Sequence, residues 1–400
     1  MIKSLLSPLR GELLTKGARR LSHIADAISS RFSNQSPAIL LYINLPQDLD
    51  MLLPIAVRLQ AQANHPIQVV VSDKAWNQSP RIGTLLAAAN IEPQIVSHKA
   101  AVASLQPSLV NICAVITASE STANAHKGAY RLTQRANQQG LFTCTMQHGY
   151  ENVGITYFDD EYPVGMIMFA SQKIFTWVPL EDIPAQTPDE TREKCVAVGC
   201  PKFTDAPGLE VKVPGKDPNA PLVAVFENLH WGRYSDDYRQ RFLADLEQTA
   251  VAQPNITFLV KPHHTGLWLT QRYQGRLPVS DNLIIADPKD PQWETFTAPA
   301  LIKIADAVIT TPSTVAIDAV RADKQVAVVA YDMDLPNYAP LPLLRSERDW
   351  QAIAANAHAA LPALSNPTLE FSQTHLVPGD AVQRIVDRIS AEIAAAPVPR

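Results

Sequence analysis

The chain has 400 residues, of which 46% are hydrophobic and 18% are charged. This composition excludes an intrinsically disordered protein, and the length suits two domains of about 200 residues or one large domain. The net charge of −5 argues against a general nucleic-acid-binding protein, which would usually carry a basic excess. The four cysteines contain no C-x-x-C pair, so we predict reduced thiols and no structural zinc site.

Residues 1–33 have the pattern of one or two amphipathic helices. Leucine and isoleucine recur at helical spacing, and five lysines and arginines between positions 3 and 20 give a local basic excess. We interpret this segment as a helix packed on the domain with a solvated basic face, and contact with an anionic membrane surface is the alternative. It lacks the apolar core of a secretory signal. We therefore expect a cytoplasmic protein, free or peripheral at the inner face of the membrane.

Short apolar runs alternate with helical patterns in the first half of the chain. The predicted strands are residues 38–44, 67–72, 112–119 and 141–147. The predicted helices are residues 54–63, 82–90 and 124–139. The strands are continuously apolar, which is typical of a parallel sheet covered by helices on both faces. Eight prolines between residues 179 and 221 then indicate a linker or an irregular crossover.

The same alternation restarts after the prolines. The predicted strands are residues 222–227, 256–261, 283–287, 307–311 and 325–331. The predicted helices are residues 237–252, 299–305, 314–322, 349–361 and 381–396. The fold class is therefore α/β, with two Rossmann-like doubly wound domains facing a central cleft. We place the domains at residues 1–200 and 201–380, followed by a C-terminal helix and tail at 381–400.

The common nucleotide-binding motifs do not occur in this sequence. Neither G-x-G-x-x-G after a strand nor G-x-x-x-x-G-K-[ST] is found, which argues against dehydrogenases and P-loop ATPases. What remains are four polar clusters that directly follow predicted strands. Because ligands of doubly wound sheets bind at the carboxyl ends of strands, these clusters are the candidate functional residues.

Two clusters in the second half carry groups that can donate hydrogen bonds to a phosphate. They follow the strands predicted at 256–261 and 307–311 and combine a cation, imidazoles and hydroxyls. Their candidate residues are Lys261, His263, His264, Pro312, Ser313 and Thr314. The structural alternative is a pair of exposed loop histidines, with Ser313 or Thr314 serving only to cap the next helix.

Two further clusters carry carboxylates beside an imidazole or a cation. One follows the strand at 141–147 and the other follows the strand at 222–227. Their candidate residues are His148, Glu151, Glu227, Arg233 and Asp236. Such groups could supply a general base or a nucleophile. The structural alternative is that both segments are surface turns whose polar side chains cap the following helices.

The whole arrangement resembles the GT-B glycosyltransferase fold. KPHH (261–264) followed by ADAVITTPSTVAIDAV (305–320) resembles a motif pair of enzymes that use cytidine-activated donors. These enzymes are bacterial sialyltransferases, CMP-Kdo-dependent transferases and CDP-glycerol glycerophosphotransferases. VGCPKFTD (198–205) is similar to their Gly-x-Pro crossover, and QHGYEN (147–152) is similar to a Gln-His-Gly element of surface-polysaccharide enzymes. The likeness covers most of residues 38–360.

The resemblance implies roles for the candidate residues. Residues 201–380 would bind the nucleotide-sugar donor, with the Lys-Pro-His-His and Pro-Ser-Thr segments at its phosphate and cytidine. Residues 1–200 would bind an oligosaccharide or lipid-linked glycan acceptor, with Glu151 as its acid or base. Glu227 or Asp236 would be a second carboxylate. No metal or other cofactor is implied, because a helix N-terminus and several donors can stabilise a CMP leaving group.

Two departures from the family patterns bear on the donor. Pro-His-His stands in place of the usual His-Pro order, and Pro-Ser-Thr stands where CDP-glycerol enzymes carry Tyr-Ser-Ser. We therefore expect a glycosyltransferase that moves Kdo from CMP-Kdo onto a lipopolysaccharide O-antigen or a capsule glycan. Sialic acid from CMP-sialic acid comes second. A CDP-glycerol glycerophosphotransferase, a nucleotide-sugar epimerase and a non-catalytic nucleotide-binding module are also compatible with the sequence.

Overall fold

The computed structural model describes residues 36–150, 165–202, 211–263, 266–293, 295–358 and 366–395. The amphipathic segment predicted at residues 1–33 lies outside these ranges. The described residues form two parallel β-sheets, each enclosed by helices. We call them the N-terminal unit and the C-terminal unit. This architecture confirms the predicted α/β class with two Rossmann-like units.

The N-terminal unit is built on a seven-stranded parallel sheet in the order β3-β2-β1-β4-β5-β6-β7. Its strands are β1 (Ala38–Ile43), β2 (Ile67–Ser72), β3 (Gln94–Val96), β4 (Ile112–Thr117), β5 (Phe142–Met146), β6 (Lys173–Thr176) and β7 (Cys195–Ala197). Its helices are α1 (Asp48–Gln62), α2 (Asp73–Gln78), α3 (Pro80–Ala88), α4 (His98–Val102), α5 (Lys127–Gln138) and α6 (Asp189–Arg192).

The C-terminal unit is built on a six-stranded parallel sheet in the order β10-β9-β8-β11-β12-β13. Its strands are β8 (Leu222–Glu227), β9 (Thr257–Pro262), β10 (Leu283–Ile285), β11 (Ala307–Thr310), β12 (Gln325–Val329) and β13 (Leu343–Leu344). Its helices are α7 (Asp236–Ala252), α8 (Ala298–Ile304), α9 (Val315–Arg321), α10 (Glu347–His358) and α11 (Asn366–His375). No helix in the described part of the chain is long and apolar enough to cross a membrane.

The central strands are apolar on both faces because helices cover both faces of each sheet. In β1, Leu41 packs into one core of the N-terminal unit, while Leu40 and Tyr42 pack into the core on the opposite face. In β8, Ala224 and Val225 divide in the same way between the two cores of the C-terminal unit. Continuous apolar runs are therefore what these strands need, as the sequence predicted.

The strand orders create a topological switch point in each sheet. The order reverses between β1 and β4 in the first sheet and between β8 and β11 in the second. Connections on either side of such a point leave in opposite directions and open a crevice at the carboxyl ends of the strands. The two carboxyl edges meet, because the Tyr150 backbone N–H after β5 donates to Thr314 Oγ1 after β11 at 3.0 Å.

The final helix, α12 (Ala381–Ala395), returns to the N-terminal unit. Ile385, Val386 and Ile389 are fully buried in the same core as the residues of α1. At the start of the crossover, Arg384 Nε donates to the Val198 carbonyl at 2.8 Å. Further along the crossover, Arg321 donates to the Cys200 and Lys202 carbonyls at 2.9 and 2.8 Å. The two units are therefore connected by α12 and by the hydrogen bonds of Arg384 and Arg321 to the crossover.

Several short elements were not predicted. The last strand predicted in the first half is residues 141–147, but β6 and β7 continue that sheet. Residues 179–221 were interpreted as a linker or crossover, yet their first part contains α6 and β7. That interpretation was wrong for residues 189–197. With three residues in β7, four in β6 and two in β13, these strands are too short to show a periodic pattern.

We predict that Ile385→Ala lowers the free energy of unfolding of the N-terminal unit by about 2–5 kcal/mol, since it removes a fully buried side chain. Arg388→Ala on the exposed side of the same helix should change it by no more than about 0.5 kcal/mol. Chemical denaturation followed by circular dichroism measures both. Equal denaturation midpoints for the two variants would show that α12 does not stabilise this core.

Candidate functional site

A carboxylate, a hydroxyl and an imidazole form a hydrogen-bonded chain at the switch point of the N-terminal unit. Asp48, at the start of α1, is completely buried. Its Oδ2 accepts the backbone N–H groups of Asn44 and Leu45, both at 2.9 Å. Its Oδ1 accepts the hydroxyl of Ser119, which follows β4. Ser119 Oγ also lies 2.7 Å from Nδ1 of His148, which follows β5.

Desolvation sets the protonation of both ends of this chain. Burial raises the pKa of Asp48 to about 6, although hydrogen bonds from Ser119, Leu45 and Asn44 oppose the rise. Burial lowers the pKa of His148 to about 3, and the nearby His126 and Lys202 lower it further. At neutral pH the imidazole is therefore uncharged and the carboxyl is mostly ionised. A neutral imidazole beside a cleft can accept a proton from a substrate hydroxyl.

A second imidazole lies beside the first. The rings of His126 and His148 meet edge to face, with centroids 5.1 Å apart. His126 is almost fully buried, and its Nδ1 lies 2.8 Å from Ser121 Oγ. Burial lowers the pKa of His126 to about 4. Two uncharged imidazoles, each bonded to a serine hydroxyl, thus lie side by side at this edge of the sheet.

The Gln-His-Gly segment is held on both sides of the imidazole. The Trp177 backbone N–H donates to Gln147 Oε1 at 2.7 Å, and Gln147 Nε2 donates to the Gly149 carbonyl at 3.0 Å. Tyr150 then reaches into the C-terminal unit, where its hydroxyl donates to the Asn337 carbonyl at 2.5 Å. The backbone on either side of His148 is thereby held, within the N-terminal unit at Gln147 and against the C-terminal unit at Tyr150. The predicted acid or base Glu151 lies outside the described residues.

The C-terminal unit carries a buried carboxylate at the end of β8. Glu227 is 3% exposed, and its Oε2 accepts the Leu229 N–H at 2.7 Å. Its Oε1 makes no hydrogen bond of normal geometry with the described residues. Burial raises the pKa of Glu227 to about 7, while the N–H groups of Leu229, His263 and Leu269 partly offset the rise. This carboxyl can therefore hold or release a proton near neutral pH.

Two histidines stack beside this carboxylate. The rings of His230, after β8, and His263, after β9, have centroids 4.5 Å apart and are tilted by 36°. The Gly266 N–H donates to His263 Nδ1 at 3.1 Å. Gly266 also approaches His230 closely, because a Cβ at position 266 would lie 2.1 Å from His230 Nδ1. A glycine is therefore required here by the imidazole packed against it. His264 lies outside the described residues.

The side chain of Lys261, near the end of β9, makes no ion pair or hydrogen bond within the described part of the chain. Burial alone lowers the pKa of its ammonium group to about 8. It is paired in register with Phe226 across the β8–β9 ladder, so the two side chains share one face of the sheet. A half-desolvated cation without a counter-charge at a strand end is well suited to an anionic ligand.

The hydroxyls of the Pro-Ser-Thr segment already have protein partners. Ser313 Oγ lies 3.0 Å from Thr310 Oγ1 and accepts the Val315 N–H at 3.2 Å. Thr314 Oγ1 accepts the Tyr150 N–H. The Pro312 carbonyl accepts Asn228 Nδ2 at 3.1 Å. Thr314 is the N-cap residue of α9 but makes no side-chain capping bond, so of the two hydroxyls only that of Ser313 bonds to the backbone at the start of this helix. The predicted phosphate contacts of Pro312, Ser313 and Thr314 stay predictions.

The remaining two candidates lie in the loop after β8. Asp236 is exposed in the first turn of α7 and forms an ion pair with Arg239 at 2.9 Å. The Arg233 guanidinium is also exposed and stacks over the ring of Tyr234, 5.4 Å from its centroid. Their predicted catalytic and donor-binding roles stay predictions. Of Glu227 and Asp236, Glu227 is the buried carboxylate.

Four residues of this site are not among the sequence-predicted candidates: Asp48, Ser119, His126 and Asn228. Three of them, Asp48, Ser119 and Asn228, come shortly after β1, β4 and β8, which flank the switch points. A strand order would have identified these positions, but the sequence predicts strands and not their order. Within the described ranges, no group of three or more His, Cys, Asp and Glu side chains could hold a metal ion.

Comparison with known proteins gives a structural answer only. No family model and no curated protein matches the sequence. A putative UDP-N-acetylglucosamine 2-epimerase from Listeria monocytogenes aligns with a TM-score of 0.63 and 10% identity, over 92% of this chain and 99% of the other. The UDP-GlcNAc 2-epimerase from Neisseria meningitidis, bound to UDP-GlcNAc, gives 0.59 and 11%, over 89% and 100%.

A further match is the wall teichoic acid polymerase TagF, with a TM-score of 0.57 and 12% identity, over 98% of this chain and 97% of the other. At these identities the likeness establishes the fold. The chain therefore has the GT-B-type arrangement of two Rossmann-like domains, as the sequence predicted. The similar structures are named for different activities, two as epimerases and one as a polymerase. Any argument about the activity of this chain must therefore rest on its site residues.

We predict that Gly266→Ala displaces the His230 ring and lowers the free energy of unfolding by about 1–3 kcal/mol, because the new methyl group overlaps the imidazole. In a His230→Ala background the same substitution should cost much less, since the space is then open. A double-mutant cycle by chemical denaturation measures the coupling. Equal costs in the two backgrounds would show that His230 does not occupy this space in solution.

Proposed function

We propose that this chain is a glycosyltransferase that moves a sugar from a nucleotide-activated donor onto a surface-glycan acceptor. The observation that supports it is the contact between the two carboxyl edges, where Tyr150 N–H meets Thr314 Oγ1. This contact joins the carboxyl edge that carries the neutral imidazole of His148 to the carboxyl edge that carries the desolvated Lys261, and we propose that both face one cleft. One side supplies a base and the other supplies positive charge, which is what a transfer from a phosphate-activated sugar requires.

The residues divide the reaction between the two units. His148 Nε2 accepts the proton of the acceptor hydroxyl while the hydroxyl oxygen bonds to the anomeric carbon of the donor. The bond from that carbon to the donor phosphate breaks, and its electron pair stays on the phosphate oxygen. Lys261 opposes the negative charge that gathers on this leaving group. Glu151 is the alternative base, and Glu227 is the second carboxylate of the site.

The donor is proposed on the sequence pattern. The Lys-Pro-His-His and Pro-Ser-Thr segments resemble those of CMP-sugar enzymes, so CMP-Kdo is the first donor to test and CMP-sialic acid the second. The proposed acceptor is an oligosaccharide or lipid-linked glycan of the O-antigen or capsule type. Catalysis without a metal ion is part of the proposal, since Lys261 and the histidine pair can oppose phosphate charge.

A second candidate is a nucleotide-sugar 2-epimerase. The structures named as UDP-GlcNAc 2-epimerases favour it, because they share the fold over about nine-tenths of this chain. An epimerase would convert its nucleotide sugar without an acceptor. A third candidate, a CDP-glycerol glycerophosphotransferase, is favoured by the likeness to TagF over 98% of the chain. It would prefer a CDP-linked donor.

Calorimetric titration with CMP, CDP, UMP, UDP and GDP, each with and without EDTA, separates these candidates. We expect CMP to bind most tightly and EDTA to leave its affinity unchanged. His263→Ala should weaken the binding about tenfold or more through loss of a polar contact, and exposed Arg388→Ala should not. Preference for UDP would favour the epimerase, preference for CDP the glycerophosphotransferase, and silence with every nucleotide would overturn all three.

Nucleotide affinity should depend on pH through Lys261. Its lowered pKa of about 8 means that the ammonium charge is present below this pH and is lost as the pH rises above it. Binding of an anionic nucleotide should weaken between pH 8 and 10, by up to about tenfold per unit. Lys261→Arg keeps its charge over this range and should flatten the profile, and Lys261→Ala should bind weakly throughout. An unchanged slope in Lys261→Arg would exclude this role.

A further inference from the structure

Asp48 and Ser119 are buried polar groups that the proposed reaction does not itself use. Neither touches solvent, since both are 0% exposed. Asp48 accepts three hydrogen bonds, from the backbone of Asn44 and Leu45 and from Ser119. Ser119 also contacts His148 Nδ1. This hydrogen-bonded series therefore connects the core of the N-terminal unit to the imidazole of His148.

Counting protons along the chain fixes the direction of each hydrogen bond. An ionised carboxylate can only accept, so the single hydroxyl proton of Ser119 lies toward Asp48 Oδ1. Ser119 Oγ then has only lone pairs to offer His148, and Nδ1 must carry the proton. In a neutral imidazole the other nitrogen, Nε2, is left with its lone pair. His148 Nε2 forms no hydrogen bond with the described residues.

Removing the charge on Asp48 reverses the direction of the hydrogen bonds that run from His148 through Ser119 to Asp48. A protonated carboxyl would donate from Oδ1 to Ser119, whose hydroxyl would then donate to His148 Nδ1 and leave the proton on Nε2. Asparagine at position 48 has the same effect. Its oxygen would keep the two backbone N–H groups, and its amide nitrogen would donate to Ser119. The tautomer of His148 thus depends on whether residue 48 is an acceptor or a donor.

The neighbouring pair of Ser121 and His126 provides an internal contrast. Ser121 Oγ lies 2.8 Å from His126 Nδ1 and accepts the Ala123 N–H at 3.3 Å. Among the described residues no carboxylate bonds to Ser121, so nothing comparable to Asp48 orients that hydroxyl. The two serine–histidine pairs have similar geometry and differ in the carboxylate behind one of them.

We propose that Asp48, acting through Ser119, is a positioning residue that holds His148 in the tautomer protonated on Nδ1 and leaves Nε2 free to accept a proton. The tautomer follows from the hydrogen-bond geometry of Asp48, Ser119 and His148, and its catalytic consequence rests on the proposed function. The charged and titratable groups that face the chain are Tyr42 and Asp50 near Asp48, and His126 and Lys202 near His148. Asp50 is paired with Arg81 at 2.5 Å, and burial raises the pKa of Tyr42.

Nitrogen-15 NMR of the histidine side chains tests the tautomer without any activity. The His148 signals are assigned by their absence in His148→Gln. At pH 7.5 we expect the proton on Nδ1 in the natural protein and on Nε2 in Asp48→Asn. Ser119→Ala should remove the preference, and the matched control Ser121→Ala should leave His148 unchanged. A natural protein protonated on Nε2, or an Asp48→Asn variant with the natural tautomer, would overturn the proposal.

Transfer kinetics test the catalytic consequence separately. With the donor identified by calorimetry, Asp48→Asn should lower kcat about 10²–10³-fold and leave the KM for the donor within about twofold, because only the base is affected. Ser121→Ala should retain the natural kcat. If Asp48→Asn transfers at the natural rate, the positioning role is wrong and the proposed function stands. If the NMR result is as expected but no donor is used, the tautomer assignment stands and the proposed function fails.

Discussion

Parallel strands bring their carboxyl ends to one edge of a sheet, and in this chain two such edges are pressed against each other. The Tyr150 N–H that meets Thr314 Oγ1, together with the Tyr150 hydroxyl on the Asn337 carbonyl, joins loops that would otherwise be open to water. Burial changes the chemistry of the polar side chains near the carboxyl edges of both sheets. It raises the pKa of Asp48 and Glu227 and lowers that of His148 and Lys261.

Desolvation acts on different groups in the two units. In the N-terminal unit the carboxylate is separated from the imidazole by a serine, so it acts on proton position and does not form a salt bridge with His148. In the C-terminal unit the cation Lys261 has no counter-charge among the described residues, and Glu227 is buried at the end of β8. Under the proposed function, one edge takes a proton and the other holds negative charge. A transfer reaction needs both at once.

The sequence predicted the long elements well and the short ones poorly. β2 and β8 begin and end where the apolar runs do, because strands buried on both faces leave a continuous signal. β3, β7 and β13 have two or three residues and sit near sheet edges, so no pattern could reveal them. At the site, Lys261 and Glu227 are predicted from their places at the carboxyl ends of strands. The contact of Tyr150 with Thr314 spans 164 residues and depends on how the two units meet, which no local pattern records.

Asp48 shows why a buried charge can be retained at a cost in stability. A rise in pKa from 3.8 to about 6 means that the folded chain holds the proton more tightly than the unfolded chain. Above pH 6 the ionised group therefore lowers the stability of the native state, by about 3 kcal/mol. An asparagine could accept the two backbone N–H groups without this cost. It could not also accept the Ser119 hydroxyl, and that third hydrogen bond is the one that reaches His148.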